Sequence, residues 1–195
     1  MQSAKELFVH ELTDMLDAEQ KLVEALGELA EDHSEEPQLQ KGFKSHQAQT
    51  EKQVQRVQQV FEEVGEEPEQ SECKGIKGLI EERETFKEED PSEDILAIFD
   101  VGAAIKVESY EINAYNSLIR LAEQLGLKKA VKLLGQNLKE EEQTRTKMEA
   151  MMRKLKPDNL GMDEEGEEMG EEEEAAPTRR SPASSRGKGR SRKAA

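Results

Sequence analysis

Each of the four longest helical segments predicted from this sequence carries an ionisable residue in the middle of an otherwise apolar stripe. Steps of three and four residues place side chains on one face of a helix. Glu19 lies on the stripe of the first segment, and Glu108 and Glu141 occupy leucine-like positions in the third and fourth. His46 lies on the stripe of the second segment. The pattern predicts that each helix directs one candidate metal ligand towards a shared core.

In each of the four stripes, successive residues are three or four positions apart. They comprise Phe8, Leu12, Met15, Glu19, Leu22, Leu26 and Leu29; Phe43, His46, Thr50, Val54, Val57, Phe61 and Val64; Ile98, Val101, Ile105, Glu108, Ile112, Tyr115, Ile119 and Ala122; and Val131, Leu134, Leu138, Glu141, Arg145, Met148, Met152 and Leu155. On these stripes we expect Tyr115 and the methionines to fill core space.

Carboxylates that face a core need a compensating positive charge, because burial removes their hydration. A pair of divalent cations would supply that charge, and a donor set rich in oxygen and poor in nitrogen suits iron or manganese. A simpler interpretation applies to any single stripe glutamate, which commonly lies at the rim of a core with its carboxylate in water. The coincidence in four helices favours the metal site.

Arg145 offers a rival explanation for the acidic stripes. It follows Glu141 by one helical turn and can form an ion pair with that residue, or with Glu108 across the bundle. Such pairs would neutralise the buried charge without a metal. The acids would then form a structural salt-bridge network.

Composition limits the classes of function. The chain has 195 residues, enough for one domain of ordinary size with a tail, and a formal net charge of −16. That charge would repel phosphate groups, which argues against nucleic-acid or anionic-membrane binding by the folded part. With a single cysteine, Cys73, the chain can form no internal disulfide. No run approaches the ~18 apolar residues of a membrane span. Because the first residues also lack a secretory pattern, we predict a cytoplasmic protein.

Turn and capping residues divide residues 1–157 into four long helices and a short one. Ser3 and Glu6 predict the first helix start, and Gly65 and Gly126 mark the ends of the second and third. A crossover between Glu66 and about Ser92 holds a predicted short helix over 74–88. The expected order of hairpin, crossover, hairpin is that of an all-α, ferritin-like four-helix bundle with one long crossover.

Residues 158–195 are predicted to form a disordered tail. Nine acids and no bases fall in 163–174, whereas seven bases and no acids fall in 177–193. Such segments bury too little apolar surface to become ordered. The basic end could make weak contacts with nucleic acid or an acidic partner, or it could fold back on the acidic run.

Several sequence blocks resemble one protein family. They are ELTDMLDAEQKLVEAL, FKSHQAQTEKQVQRVQQVF, KGIKGLIEE, KVESYEINAYNSLIRLAEQLG and LLGQNLKEEEQTRTKM. In this order, over residues 3–155, they resemble the YciE/YciF family of bacterial stress-associated proteins, also called domain of unknown function 892.

The resemblance implies a ferritin-like bundle, often a homodimer, with a di-metal centre. The matching positions are Glu19, His46, Glu108, Glu111 and Glu141, with Glu140 as an alternative to Glu141 and Gln49 as a weaker ligand. Three positions depart from the family pattern. Gln49 replaces a common Glu, Ser109 a common His, and Arg145 a common Asp.

Two functions remain open from the sequence. In the first, the bundle binds two iron or manganese ions and acts as a ferroxidase or a peroxide-handling oxidoreductase. In the second, the metal site is degenerate and the chain is a non-catalytic stress-response module for binding or structure. Metal content distinguishes the two.

Overall fold

The computed structural model describes residues 1–161, and within that range the chain forms helices and no strand. The helices are α1 (Ala4–Asp32), α2 (Pro37–Val64), α3 (Lys74–Lys87), α4 (Glu93–Gln124) and α5 (Lys128–Met152). The predicted all-α, ferritin-like four-helix bundle with a crossover helix is confirmed. From residue 162 onward, the predicted acidic and basic tail lies outside the described residues.

The predicted helix boundaries follow from local chemistry. The Ser3 hydroxyl accepts a hydrogen bond from the Glu6 amide at 3.1 Å, and the Glu6 carboxylate accepts one from the Ser3 amide at 3.2 Å. This capping box satisfies amides that otherwise lack partners at a helix start. Gly65 and Gly126 follow α2 and α4 with φ of 71° and 74°, a left-handed conformation that glycine adopts without strain. None of the helices in residues 1–161 is long and apolar enough to cross a membrane.

The long helices pack as two hairpins, α1 with α2 and α4 with α5, and the short helix α3 lies against α1 and α4. Two apolar clusters occupy the two ends of the bundle. One contains Phe8 and Leu134, and the other contains Phe43 and Met148. Every long helix contributes to both clusters. A buried polar layer therefore separates two apolar halves of the core.

The buried face of α4 differs from the predicted stripe. The residues that are buried are Ala97, Asp100, Val101, Ala104, Glu108, Glu111, Tyr115, Leu118 and Ala122. The predicted Ile98, Ile105, Ile112 and Ile119 are only half-buried. Residues three and four positions after a buried residue both lie near the same helix face. The packing of neighbouring helices decides which of the two is buried. Since α3 covers a second side of α4, the buried face is rotated towards the alanines and Glu111.

A buried ion-pair cluster fixes α3 to the bundle. Arg83 of α3 donates from Nε to Asp100 Oδ1 at 3.0 Å and from Nη2 to Asp32 Oδ2 at 2.6 Å. His33 completes the cluster through hydrogen bonds of 2.9 Å to Asp100 and to Glu36. Each acid here has a basic partner, so the cluster compensates its own buried charge.

The first prediction concerns the contact between α3 and α4. A methyl group at Gly75 would lie 2.5 Å from the ring of Tyr110, whereas one at Gly78 would meet no atom within 4 Å. We expect Gly75→Ala to lower the free energy of unfolding by about 1–3 kcal/mol through overpacking. Gly78→Ala, in the same helix, should raise it by up to about 1 kcal/mol. Urea unfolding of both variants measures the difference, and equal effects would contradict this packing.

The second prediction concerns His33. Burial lowers its pKa, but the hydrogen bonds to Asp100 and Glu36 outweigh burial and raise the pKa above its ordinary value of 6.5. A raised folded-state pKa gives stabilisation that is complete below the unfolded pKa and is lost as pH rises through the folded value. His33→Gln should therefore lower the free energy of unfolding by roughly 1–3 kcal/mol at acidic pH.

The loss in free energy of unfolding caused by His33→Gln should become smaller as the pH is raised above 6.5, the ordinary pKa of histidine. Urea unfolding of parent and variant across pH measures it, and His10→Gln is the control because His10 is 58% exposed. A deficit that does not change with pH would contradict a charged His33.

Candidate metal centre

The polar layer of the bundle holds four glutamate side chains and one histidine, all buried. Its buried members are Glu19 from α1; His46, Thr50 and Gln53 from α2; Glu108 and Glu111 from α4; and Asn137, Glu141 and Thr144 from α5. Glutamate is rarely buried without a charged partner. The structure thus brings all five principal candidates from the sequence into one layer.

His46, Glu108 and Glu141 form the closest group. His46 Nε2 lies 3.2 Å from Glu108 Oε1 and 3.8 Å from Glu141 Oε2. One ligand atom from each residue lies within 4.8 Å of the other two. This spacing, from three different helices, could hold one metal ion between an imidazole nitrogen and two carboxylate oxygens. The ligand atoms of Glu19 and Glu111 are not part of this close group.

Several buried carboxylate oxygens in the layer accept no hydrogen bond from residues 1–161. They are Glu19 Oε2, both oxygens of Glu108, Glu111 Oε1 and Glu141 Oε2. Buried polar atoms in proteins nearly always have a partner, so this set of unpaired oxygens is a place for a proton, a water molecule or a cation. Such oxygens are the donors that a divalent cation requires.

Neutral side chains orient two of the carboxylates. Gln53 Nε2 donates to Glu141 Oε1, and the Tyr115 hydroxyl donates to Glu19 Oε1. Asn137 in turn donates to the Tyr115 oxygen at 2.8 Å. Each donor engages one oxygen and leaves the other oxygen of the carboxylate unpaired. Outer hydrogen bonds of this kind fix the direction of metal ligands.

The layer disfavours negative charge when no cation is present. Burial, and next the charge of Glu141, raise the pKa of Glu19, Glu108 and Glu111 well above the ordinary value. Burial and the charge of Glu19 also raise the pKa of Tyr115, which keeps its phenol protonated as a donor. Without a metal, these raised pKa values favour the protonated forms of Glu19, Glu108 and Glu111, whereas a bound cation would stabilise their charged forms.

The proposal that Arg145 neutralises the stripe is wrong. Its guanidinium is 44% exposed and donates from Nε to Glu149 at 2.9 Å. Thr144, not Arg145, occupies the buried position after Glu141. Residues 144 and 145 follow Glu141 by three and four positions, so both fit a helical stripe. The arginine that this chain has where the family commonly has aspartate therefore brings no positive charge into the core.

The two weaker candidates have protein partners. Glu140 forms a two-pronged ion pair with Arg56 at 2.7 and 3.0 Å, and it is not buried. Gln49 is half-buried and donates from Nε2 to Thr144 Oγ1 at 3.2 Å. Ser109 donates to the carbonyl of Ile105 at 2.7 Å. Glu141, rather than Glu140, is the α5 acid that belongs to the closest group.

Gln53 and Asn137 were missed from the sequence. The predicted stripes ran through Val54 and Leu138, one residue away in each helix. Both amides are fully buried and bond to members of the layer. Their spacing was the available signal, since Gln53 follows His46 by seven residues and Asn137 precedes Glu141 by four.

Comparison with known proteins identifies relatives over the whole helical region. The profile of the family described as Domain of unknown function (DUF892) matches residues 3–160. Protein YciF of Escherichia coli K12 is 38% identical over 149 residues, which cover 76% of this chain and 89% of YciF.

Solved structures show the same architecture. The stress protein YciF of Escherichia coli superposes with a TM-score of 0.74 and 37% identity, covering 78% of this chain and 96% of that one. YcfI of Rhodopseudomonas palustris superposes with a TM-score of 0.73 and 36% identity, covering 76% and 94%. A Xanthomonas campestris protein with 16% identity and a TM-score of 0.63 shares the fold alone; it covers 77% and 92%. By sequence and by fold, this chain belongs to the DUF892 family.

Proposed function

We propose that this chain binds iron or manganese inside its bundle and uses the metal to handle a small oxidant. His46, Glu108 and Glu141 would hold the principal ion. Glu19 and Glu111, in the same buried layer, would complete the environment of a second ion. These five side chains would be the ligands of the di-metal centre that the family resemblance implies.

The unpaired carboxylate oxygens are the observation that carries the proposal. Glu108 presents two such oxygens, and Glu19, Glu111 and Glu141 present one each. His46 Nε2 lies 3.2 Å from Glu108 Oε1, whereas the guanidinium of Arg56 is bound to Glu140 instead of the layer. The donor set contains one nitrogen and otherwise oxygen, which fits iron or manganese better than a metal that prefers thiolate.

The residues of this chain would control binding and access. Gln53 and Tyr115 hold carboxylates in place, and the two apolar clusters exclude water from the ends of the layer. Iron or manganese bound there would supply one-electron oxidation and reduction towards dioxygen or peroxide. A ferroxidase or a peroxide-handling oxidoreductase would need these features.

A non-catalytic stress-response module is the second candidate. Ser109 and Gln49 bond to protein atoms where the family commonly has His and Glu. The second ion would therefore have fewer ligands than the first. The similar YcfI is provisionally named a structural protein. In this case the glutamates would remain protonated and the layer would serve the fold alone.

The third prediction concerns metal affinity. We expect Glu108→Gln and Glu141→Gln to weaken binding of ferrous iron by more than about tenfold, because even loss of an outer hydrogen-bond partner costs roughly 10–100-fold. Glu142→Gln is the matched control, since Glu142 is exposed and adjacent to Glu141. Elemental analysis of protein purified without chelator, followed by titration with ferrous iron, measures the effect.

Circular dichroism of the same variants would show whether the helices persist. A parent protein that takes up neither iron nor manganese would overturn the proposed function and favour the structural module. So would equal metal affinity in Glu108→Gln, Glu142→Gln and the parent.

The fourth prediction concerns metal removal. A ligand that binds only the folded state stabilises it, so the chelated parent should melt at a lower temperature than the loaded parent. Among the metal-free proteins, Glu108→Gln should melt at a higher temperature than the parent, because an amide avoids the cost of a buried unpaired acid. A gain of 1–2 kcal/mol would raise Tm by roughly 2–8 °C in a chain of this size.

Differential scanning calorimetry with and without chelator measures the four Tm values. A metal-free Glu108→Gln that melts well below the metal-free parent would indicate that the carboxyl group is structural.

A further inference from the structure

A cavity of about 50 Å³ lies beside the metal centre, between α1, α3 and α4. His46 and Glu108 line it, so it reaches the closest group of candidate ligands. The exposed acids Glu28 and Glu84 also line it, on the side towards solvent. The cavity therefore connects the surface beneath α3 with the polar layer.

Between the acids at its mouth and His46 and Glu108 at its inner end, the walls of the cavity are mainly apolar. They include Leu22, Leu26, Leu79, Ile80, Ala103 and Val107. About 10–15 Å³ suffices for one water molecule, but apolar cavities larger than this stay dry and accept apolar guests such as xenon. Size and lining both favour a small apolar occupant.

The cover of the cavity is held in place by charge. Leu79 and Ile80 come from α3, and Arg83 of the same helix lines the cavity while it binds Asp32 and Asp100. Breaking a buried ion pair by loss of one partner is strongly destabilising. The ion pairs of Arg83 thus hold Leu79 and Ile80 over the cavity.

We propose that this cavity binds a small apolar molecule, dioxygen in the working protein, directly against His46 and Glu108. The assignment rests on the proposed function for the identity of the guest, and it names the oxidant that reaches the centre. The cavity itself stands independently of any metal.

The lining discriminates between possible oxidants. On its way to His46 and Glu108, hydrogen peroxide would have to pass the side chains of Leu22, Leu79 and Val107 with its hydrogen-bonding groups unpaired, which is costly. Dioxygen has no hydrogen bonds to lose and enters an apolar cavity readily. Hydrated metal ions would meet the same barrier as peroxide, so they would reach the centre by a different path.

Xenon is the probe for the cavity, since it is apolar and close in size to a diatomic gas. We expect saturable xenon binding to the full chain by xenon NMR, and density in the cavity of crystals pressurised with xenon. Neither readout requires metal or activity. Ala103→Leu should abolish the signal by filling the cavity. Ala114→Leu is the matched control, because Ala114 is also a half-buried alanine of α4 and does not line the cavity.

Oxidation of ferrous iron by the loaded protein gives a second readout. With dioxygen as oxidant, Ala103→Leu should raise the KM for dioxygen about tenfold, the effect that a small change in an apolar pocket commonly produces. Ala114→Leu should leave it unchanged. Metal content should match the parent in both variants, which separates access of oxidant from binding of metal.

Absence of xenon from the cavity of the parent, or an unchanged KM for dioxygen in Ala103→Leu, would overturn the inference. Xenon in the cavity of a parent that binds no metal would instead overturn the proposed function while supporting the cavity as a binding site. Ala104→Leu, at a second alanine of the lining, should also abolish xenon binding, and normal xenon binding in both variants would overturn the inference.

Discussion

Uncompensated buried carboxylates are the constraint on which this structure depends. Glu19, Glu108, Glu111 and Glu141 lie in one layer with unpaired oxygens, and apolar clusters close the layer on both sides. Without a cation, burial raises the pKa of Glu19, Glu108 and Glu111 and so favours their protonated forms. A bundle of leucines would be more stable at these positions. A cation of the kind proposed above would compensate the charge of these acids.

The surroundings of the layer divide its oxygens into two sets. One oxygen of Glu19 and one of Glu141 accept hydrogen bonds from Tyr115 and Gln53, while their second oxygens do not. Each carboxylate is therefore held in one orientation while one of its oxygens remains without a hydrogen bond. Orientation from neutral donors has an advantage over orientation from arginine, because it adds no positive charge that would compete with a bound cation.

The sequence predicted the helices well and their buried faces less well. Ser3, Gly65 and Gly126 set boundaries through backbone chemistry that acts locally, and these boundaries are confirmed. The choice between Thr144 and Arg145 depends instead on how α5 meets its neighbours, since both positions follow Glu141 by about one turn. Neutral amides such as Gln53 gave no charge anomaly, so their part in the layer became visible only in three dimensions.

A second group of buried acids shows what this chain does when it needs structure alone. Asp100 is as deeply buried as Glu108, yet it accepts hydrogen bonds from Arg83 and from His33. His46 Nε2 lies 3.2 Å from Glu108 Oε1, but neither oxygen of Glu108 accepts a well-oriented hydrogen bond from the described residues. Both acids lie in α4 and both are fully buried. Neither the helix nor exposure to solvent therefore explains why their hydrogen bonding differs. Asp100 therefore has two bases bound to it by hydrogen bonds, whereas among the described residues Glu108 and Glu141 share the single imidazole of His46.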